Sequence, residues 1–367
     1  MSVALRVAAS PGERHIALTA GEDTLLDYAI WRPGAPDGIG DWHCGRVIAR
    51  VPAMAGLFVA LCGGIEGFLP ETEAARGVSA GTLIGVRITR AAQGGKGPRL
   101  ARADLPEDHP KRIARLALGP SPLDELAARH REAPILADDP ALIAELRATF
   151  GARVARVGAA FTPAIEDAVA ALAMSEVVLA GGVRAHFQPT EALTAIDLDT
   201  GAATAARAEK GAAQRAQNIA HIAALARQIR LRNLSGAIFI DFAGMKSRHR
   251  AALGPALAAA LAEDPLKPQL LGFTALGFAE ITRPRRRPPL HELLRGPHAS
   301  GLRALRATLA ALQERPGPMP RLIAAPAVIA ALSADPVARD DFARLSGQDW
   351  RLASDPTLST EAWRISA

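Results

Sequence analysis

The segment 192–245 constrains this chain more than any other. Two short apolar runs, ALTAIDLDTG (192–201) and GAIFIDFAGM (236–245), carry Asp197 and Asp241 where each run ends. Between them Ile219, Ile222, Ala226 and Ile229 recur at helical spacing. Gly236 follows the arginine-rich last turn as a helix stop. A strand, helix and strand of this length predict a βαβ unit with parallel neighbours. Side chains alternate along a strand, so Asp197 and Asp199 share one face while Ile196 and Leu198 take the other. Ligands of such units collect at the carboxyl ends of the strands, which is where both aspartates fall. A carboxylate at the end of a buried strand is costly to desolvate without a compensating partner, and a divalent cation is one such partner. Two aspartates that merely open turns are the other reading of the same spacing.

Three blocks around these residues carry a resemblance. QPTEALTAIDLDTG (188–201) resembles a catalytic block with the pattern TEA followed by IDxNSG or IDxNTG. ARQIRLRNLSGAIFIDFAGM (226–245) is similar to RQLRLRNLGG leading into IDFIDM, and GFTALGFAEITRPR (272–285) to GFTxLGLVEMTRKR. In pattern and order the blocks resemble those of the bacterial ribonuclease E/G family. The resemblance implies a magnesium-dependent endoribonuclease that cuts single-stranded RNA and leaves 5′-phosphates, in rRNA or mRNA processing or decay. It implies that Asp197 and Asp241 hold Mg²⁺, with Mn²⁺ as a substitute. Asp199 stands where the family has asparagine and is a candidate third ligand. Glu191 is a candidate for orienting a metal-bound water from outside the ligand shell. Lys246, Arg248, His249 and Arg250 follow the second block, and Arg283 and Arg285 lie in and just after the third, so Lys246, Arg248, His249, Arg283 and Arg285 are candidate RNA contacts. The second aspartate of IDFIDM is Gly244 here. With Asp199, that departure keeps open an alternative, a catalytically degenerate RNA-binding protein of the same fold.

Ahead of this core, CGRVIARV, GLFVALC, EGFLPE, GTLIGVRITRA and GPRLARA read as short strands with glycine-rich turns between Gly38 and Asp104. Five such strands suit a small OB-type barrel. The stretch 45–70 resembles the S-one-type RNA-binding domain of the same family, which implies Phe58 and Phe68 as base-stacking aromatics and Lys96 as a backbone contact. Core packing and a solvated loop charge are the competing readings of these residues.

The fold expected is mixed α/β and multidomain. N-terminal strands (1–36) and residues 105–187 form a ribonuclease-H-like subdomain, into which the barrel (37–104) is inserted. A βαβ-type metal-binding domain (188–297) and a small C-terminal α/β domain (298–367) follow. HIALTAGEDTLLDYAIW reads as a hairpin turning at Gly21–Glu22, and residues 105–135 as helical with proline breaks. GLRALRATLAALQER reads as an amphipathic helix. A net charge of +6 fits a polyanionic partner. No apolar run reaches the ~18–20 residues of a membrane span, and the first ten residues do not read as a signal peptide, so the expected setting is the cytoplasm. The two cysteines, Cys44 and Cys62, are too few for a disulfide scaffold. The family's cysteine linker for a shared zinc has no counterpart in RRRPPLHELLRGPHASG. No zinc is therefore expected, and the chain should be a monomer or weak dimer. A counterpart of the family's 5′-monophosphate pocket is not found either, which predicts indifference to the 5′ end.

Overall fold

The computed structural model describes residues 2–74, 77–179, 182–199, 210–242, 245–315 and 317–366. Three antiparallel strands open the chain, β1 (Val3–Ser10), β2 (Glu13–Ala20) and β3 (Thr24–Trp31). β2 and β3 form the expected hairpin, with Gly21 at φ 62° in its turn. The chain then builds β4 (Trp42–Val51), β5 (Gly56–Ala60), β6 (Glu66–Pro70), β7 (Leu83–Arg90) and β8 (Arg99–Arg102). They pair in the order β5-β6-β8-β7-β4, and β4 closes back on β5. The result is the five-stranded OB-like barrel that the alternation implied. Val47, Val59, Leu69, Val86 and Leu100 fill its interior.

Residues 105–135 differ from the helical expectation. β9 (Ala114–Ala117) adds to β4, and only α1 (Pro122–Arg129) is helical. Ser121 and Asp124 form a capping box that starts α1. β10 (Ile135–Ala137), α2 (Pro140–Phe150) and β11 (Val154–Arg156) follow. β10 and β11 add in parallel to β1, giving a sheet ordered β11-β10-β1-β2-β3 around the barrel's point of departure. α3 (Pro163–Leu172) leads to the next sheet.

That sheet contains β12 (Glu176–Val178), β13 (Arg184–Pro189), β14 (Leu193–Asp199), β15 (Gly236–Asp241), β16 (Gln269–Phe273) and β17 (Ala279–Arg283), ordered β12-β13-β14-β15-β17-β16. β14 and β15 are parallel neighbours joined through α4 (Lys210–Leu231), as the spacing required. After the short α5 (Ser247–Arg250), α6 (Gly254–Ala262) packs with α4 over one sheet face. That face buries Ala185, Phe187, Ile196, Leu198, Ile238, Ile240, Ala279 and Ile281 against Ile222, Leu225, Ile229, Leu257 and Leu261. Each large aliphatic side chain buried this way contributes roughly 1.5–3 kcal/mol relative to exposure. Ile219 departs from the expected core stripe and is 39% exposed. The helix stop is also different. Asn233, at φ 48°, makes the left-handed turn, and the Leu234 amide donates to the Ile229 carbonyl. Gly236 instead begins β15.

Charged residues in the second block weld elements together. Arg232, 6% exposed, donates to the carbonyls of Ala171, Leu172 and Met174 at the end of α3. Arg230 donates to Leu26 in β3. Arg286 and Arg287 pair with Glu125, and Arg287 also with Asp37.

The C-terminal part holds α7 (Leu290–Leu293), α8 (Gly296–Glu314), α9 (Pro326–Ser333) and α10 (Pro336–Ser346) around β18 (Arg321–Ala324), β19 (Arg351–Ser354) and β20 (Trp363–Ser366). These strands form a three-stranded sheet ordered β19-β18-β20. Trp350 and Trp363 pack against its core. Glu13, 1% exposed, joins the first sheet to α8 through its ion pairs with Arg32 and Arg306.

Candidate active site

Asp197 and Asp241 are direct partners in the parallel pairing of β14 with β15. Adjacent strands lie ~4.8 Å apart, and in-register partners project from the same face. That face is opposite the helices. Asp197 is exposed and Asp241 half-buried, while Ile196, Ile240 and Phe242 point into the core. The two aspartates are therefore neighbours on the solvent-facing side, near the carboxyl ends of two parallel strands.

The pairing extends sideways. Glu176 faces His186, His186 faces Asp197, and Asp197 faces Asp241, so four titratable side chains form one row across β12, β13, β14 and β15. His186 Nε2 lies 3.4 Å from Glu176 Oε2. The next row pairs Arg184 with Asp199. Glu176 and His186 were not candidates from the sequence. The exposed-face spacing of Arg184 and His186 carried the signal, and only the strand register shows its meaning.

Arg250 donates from Nη1 to Asp241 Oδ1 at 2.5 Å and to the Gly277 carbonyl at 3.3 Å, while its Nε donates to the Met245 carbonyl at 3.0 Å. The guanidinium is thus clamped by two backbone carbonyls and holds one oxygen of Asp241. Lys246 and His249 stand exposed at the start of α5. The Arg248 side chain and Gly244 lie outside the described residues.

Asp199 sits two residues beyond Asp197 on the same face, ~6.6 Å along the strand, and pairs with Arg184 on β13. Two other expectations change. Glu191 precedes β14, whereas Asp197 is near its far end. The six intervening steps of ~3.3 Å put it far outside hydrogen-bond reach of any ligand on Asp197. Arg283 is not an RNA contact. It is 3% exposed, with Nε donating to Asp264 Oδ2 at 2.7 Å and Nη1 to Asn233 Oδ1 and the Leu234 carbonyl. A side chain so buried and so committed is closed to a phosphate in solvent. Arg285, two residues on, is exposed.

On the barrel, Phe58 and Phe68 are cross-strand partners, both half-buried, with ring centroids 5.7 Å apart and planes at 65°. Their rings lie outside the packed interior and form an edge-to-face pair. Gly56 leaves room for them, since a Cβ there would meet the Phe68 ring at 2.3 Å. Lys96 is exposed beside a Gly94–Gly95 turn, in which both glycines have positive φ. Cys44 is buried and Cys62 exposed. A cavity of about 510 Å³ opens elsewhere, between β3, α1 and the 283–293 segment. None of the acidic row lines it.

Residues 156–286 match the family model described as the Ribonuclease E/G family. That segment belongs to the ribonuclease E/G family. Ribonuclease G of Escherichia coli K12 is 37% identical over 131 residues, which are 35% of this chain and 27% of that protein. Ribonuclease G of Haemophilus influenzae is 37% identical over 131 residues, 35% of this chain and 26% of that protein. Ribonuclease E of a Nostoc species is 36% identical over 108 residues, 29% of this chain and 16% of that protein. The matched part thus spans about a quarter or less of these relatives. It includes Asp197, Asp241 and the whole acidic row, and it leaves the barrel outside.

Proposed function

We propose that this chain is a magnesium-dependent endoribonuclease acting on single-stranded RNA and leaving 5′-phosphates. The observation that carries this reading is the in-register pairing of Asp197 with Asp241 on the open face of β14 and β15. Magnesium keeps several waters and takes one or two carboxylates together with substrate phosphates, so this donor pair fits it without a third ligand. When bound, the ion supplies a water of lowered pKa and polarises the phosphoryl oxygen. Manganese is the natural substitute.

The chain's own groups do the rest. Asp197 and Asp241 hold the ion against the strand ends. Arg250 fixes the Asp241 carboxylate through one oxygen, and among the described residues no donor is seen on the other. Its guanidinium, with Lys246 and His249 nearby in sequence, supplies positive charge where negative charge develops on the phosphate. Phe58 and Phe68 stack bases, and Lys96 contacts the backbone, as aromatic platforms and cationic grooves do for single strands. The first sheet, whose chain is interrupted by the barrel, is read as a ribonuclease-H-like subdomain. Residues 188–297 form the catalytic domain and 298–367 a closing domain. A cytoplasmic setting fits, and among the described residues no helix is long and apolar enough to cross a membrane. The oligomer, if any forms, is not zinc-linked.

The test is cleavage of an AU-rich single-stranded oligonucleotide with Mg²⁺, with and without chelator, in wild type, Asp197→Asn and Asp241→Asn. Chelator-sensitive cleavage lost in both variants, with RNA affinity kept, supports the enzyme. The Arg250 contact on Asp241 favours one rival, a binding protein whose metal pair is neutralised by arginine. Wild type that binds RNA but never cleaves it, with Mg²⁺ or Mn²⁺, establishes that rival instead.

A further inference from the structure

Three arginines meet at the seam between the barrel and the metal-bearing sheet. Arg90 and Arg99 are cross-strand partners on β7 and β8. The pairing slips between Ile88 and Arg90, so Thr89 and Arg90 together face the single residue Arg99. Such a bulge re-aims a side chain. Arg99 is also the strand partner of Phe68. From the other side, the Ala91 amide donates to the Arg286 carbonyl at 2.8 Å, fixing the end of β7 against the 284–287 segment. Arg285 packs on Gly236, where an added Cβ would stand 2.5 Å from its Nη2. Gly236 has φ +83° and no side chain, and both features make room for that guanidinium.

The neighbouring arginines of this segment are all spoken for. Arg283 has Asp264, and Arg286 and Arg287 have Glu125. No carboxylate pairs with Arg90, Arg99 or Arg285 among the described ion pairs. Burial, and then the charges of Arg99 and Arg285, hold the Arg90 guanidinium below its ordinary value. Gathering like charges without a counterion destabilises a fold. An arrangement that keeps three such forks together beside an aromatic pair, and pairs every adjacent one, is poised for an anion. Arginine forks match phosphate oxygens.

We propose that Arg90, Arg99 and Arg285 form a phosphodiester-binding site at this seam, which takes the backbone of single-stranded RNA whose bases stack on the neighbouring Phe58–Phe68 platform. The inference rests on the reading of the chain as an RNA-binding protein, and its binding test does not require cleavage.

The test is fluorescence anisotropy of a labelled single-stranded RNA, in chelator so that nothing is cut, across a series of salt concentrations. For single strands the slope of log affinity against log salt is about −0.7 per phosphate contact. Each of Arg90→Gln, Arg99→Gln and Arg285→Gln should flatten that slope by about 0.7, and the triple variant by about 2. Arg364→Gln, on the far β20, should leave it unchanged. Arg99→Glu separates binding from folding. It gives Arg90 and Arg285 a counterion, so thermal stability should hold or rise while RNA affinity falls by at least tenfold. Unchanged slopes in the three single variants, or Arg99→Glu with wild-type affinity, would overturn the site. If wild type cleaves RNA while these slopes stay unchanged, only the seam site is lost. If slopes flatten but wild type never cleaves, only the enzyme reading is lost.

Discussion

Arg283→Met tests the buried ion pair at the end of β17. Arg283 and Asp264 are 3% and 4% exposed, and their contact at 2.7 Å lies beneath β17. Methionine keeps most of the volume but strands the Asp264 carboxylate, leaving it the Leu266 amide at 2.9 Å. Asn233 Oδ1 and the Leu234 carbonyl each lose a donor as well. Removing one member of a buried ion pair costs about 3–5 kcal/mol. At ~1.4 kcal/mol per tenfold, amides of β16 and β17 should exchange with solvent roughly 10²- to 4 × 10³-fold faster. Hydrogen exchange is the right assay, because a chain with several cores need not unfold in one step. Arg283→Met with Asp264→Leu should recover most of the loss, since an apolar pair replaces a buried ionic one at little cost. The folded variant should keep the wild-type salt slope of RNA binding. Exchange rates within about threefold of wild type, or a flattened salt slope, would refute the reasoning and return Arg283 to the RNA path.

Arg250→Gln frees Asp241 from a competing cation, so divalent-ion affinity should rise by about two- to tenfold. Cleavage should nonetheless fall by about 10²-fold through loss of a fixed positive charge, and the two readouts moving together would contradict the clamp. Phe58→Ala and Phe68→Ala should each weaken RNA binding by about 1–3 kcal/mol in anisotropy titrations, with the double variant less than additive because the rings touch. Burial would raise the Glu13 carboxyl, but His15, Arg306 and Arg32 overturn that and hold it well below the ordinary 4.5. A depressed folded value contributes stability that is complete above 4.5 and drains away as pH falls below it. The docking of α8 on the first sheet should therefore loosen in acid, and Glu13→Gln should abolish that part of the pH dependence in near-ultraviolet circular dichroism.

Much of the fold is legible in the sequence. The barrel strands announced themselves because alternation and glycine turns are local, and the βαβ unit because a buried stripe needs helical spacing. The short β9 was not, because Ala114–Ala117 becomes a strand only by pairing with β4. The arginines of the third block show the limit most clearly. Ala279, Ile281 and Arg283 lie on one face of β17, and all three are buried. The period-2 pattern thus contained the answer for Arg283, yet an arginine at a core position is credible only once Asp264 is seen beside it. Glu191 failed for a simpler reason, since it lies at the opposite end of β14 from Asp197. Arg90, Arg99 and Arg285 are far apart in sequence, and their meeting depends on two chain segments that touch at Ala91 and Arg286. No spacing rule reaches across such a seam.

If Asp197 and Asp241 share a cation, electron paramagnetic resonance of Mn²⁺ reads this directly. Titrated against wild type, the free-ion signal should show one bound Mn²⁺ per chain, and Asp197→Asn or Asp241→Asn alone should each abolish it. Either single variant binding Mn²⁺ as wild type does would show that the two carboxylates do not act as one site.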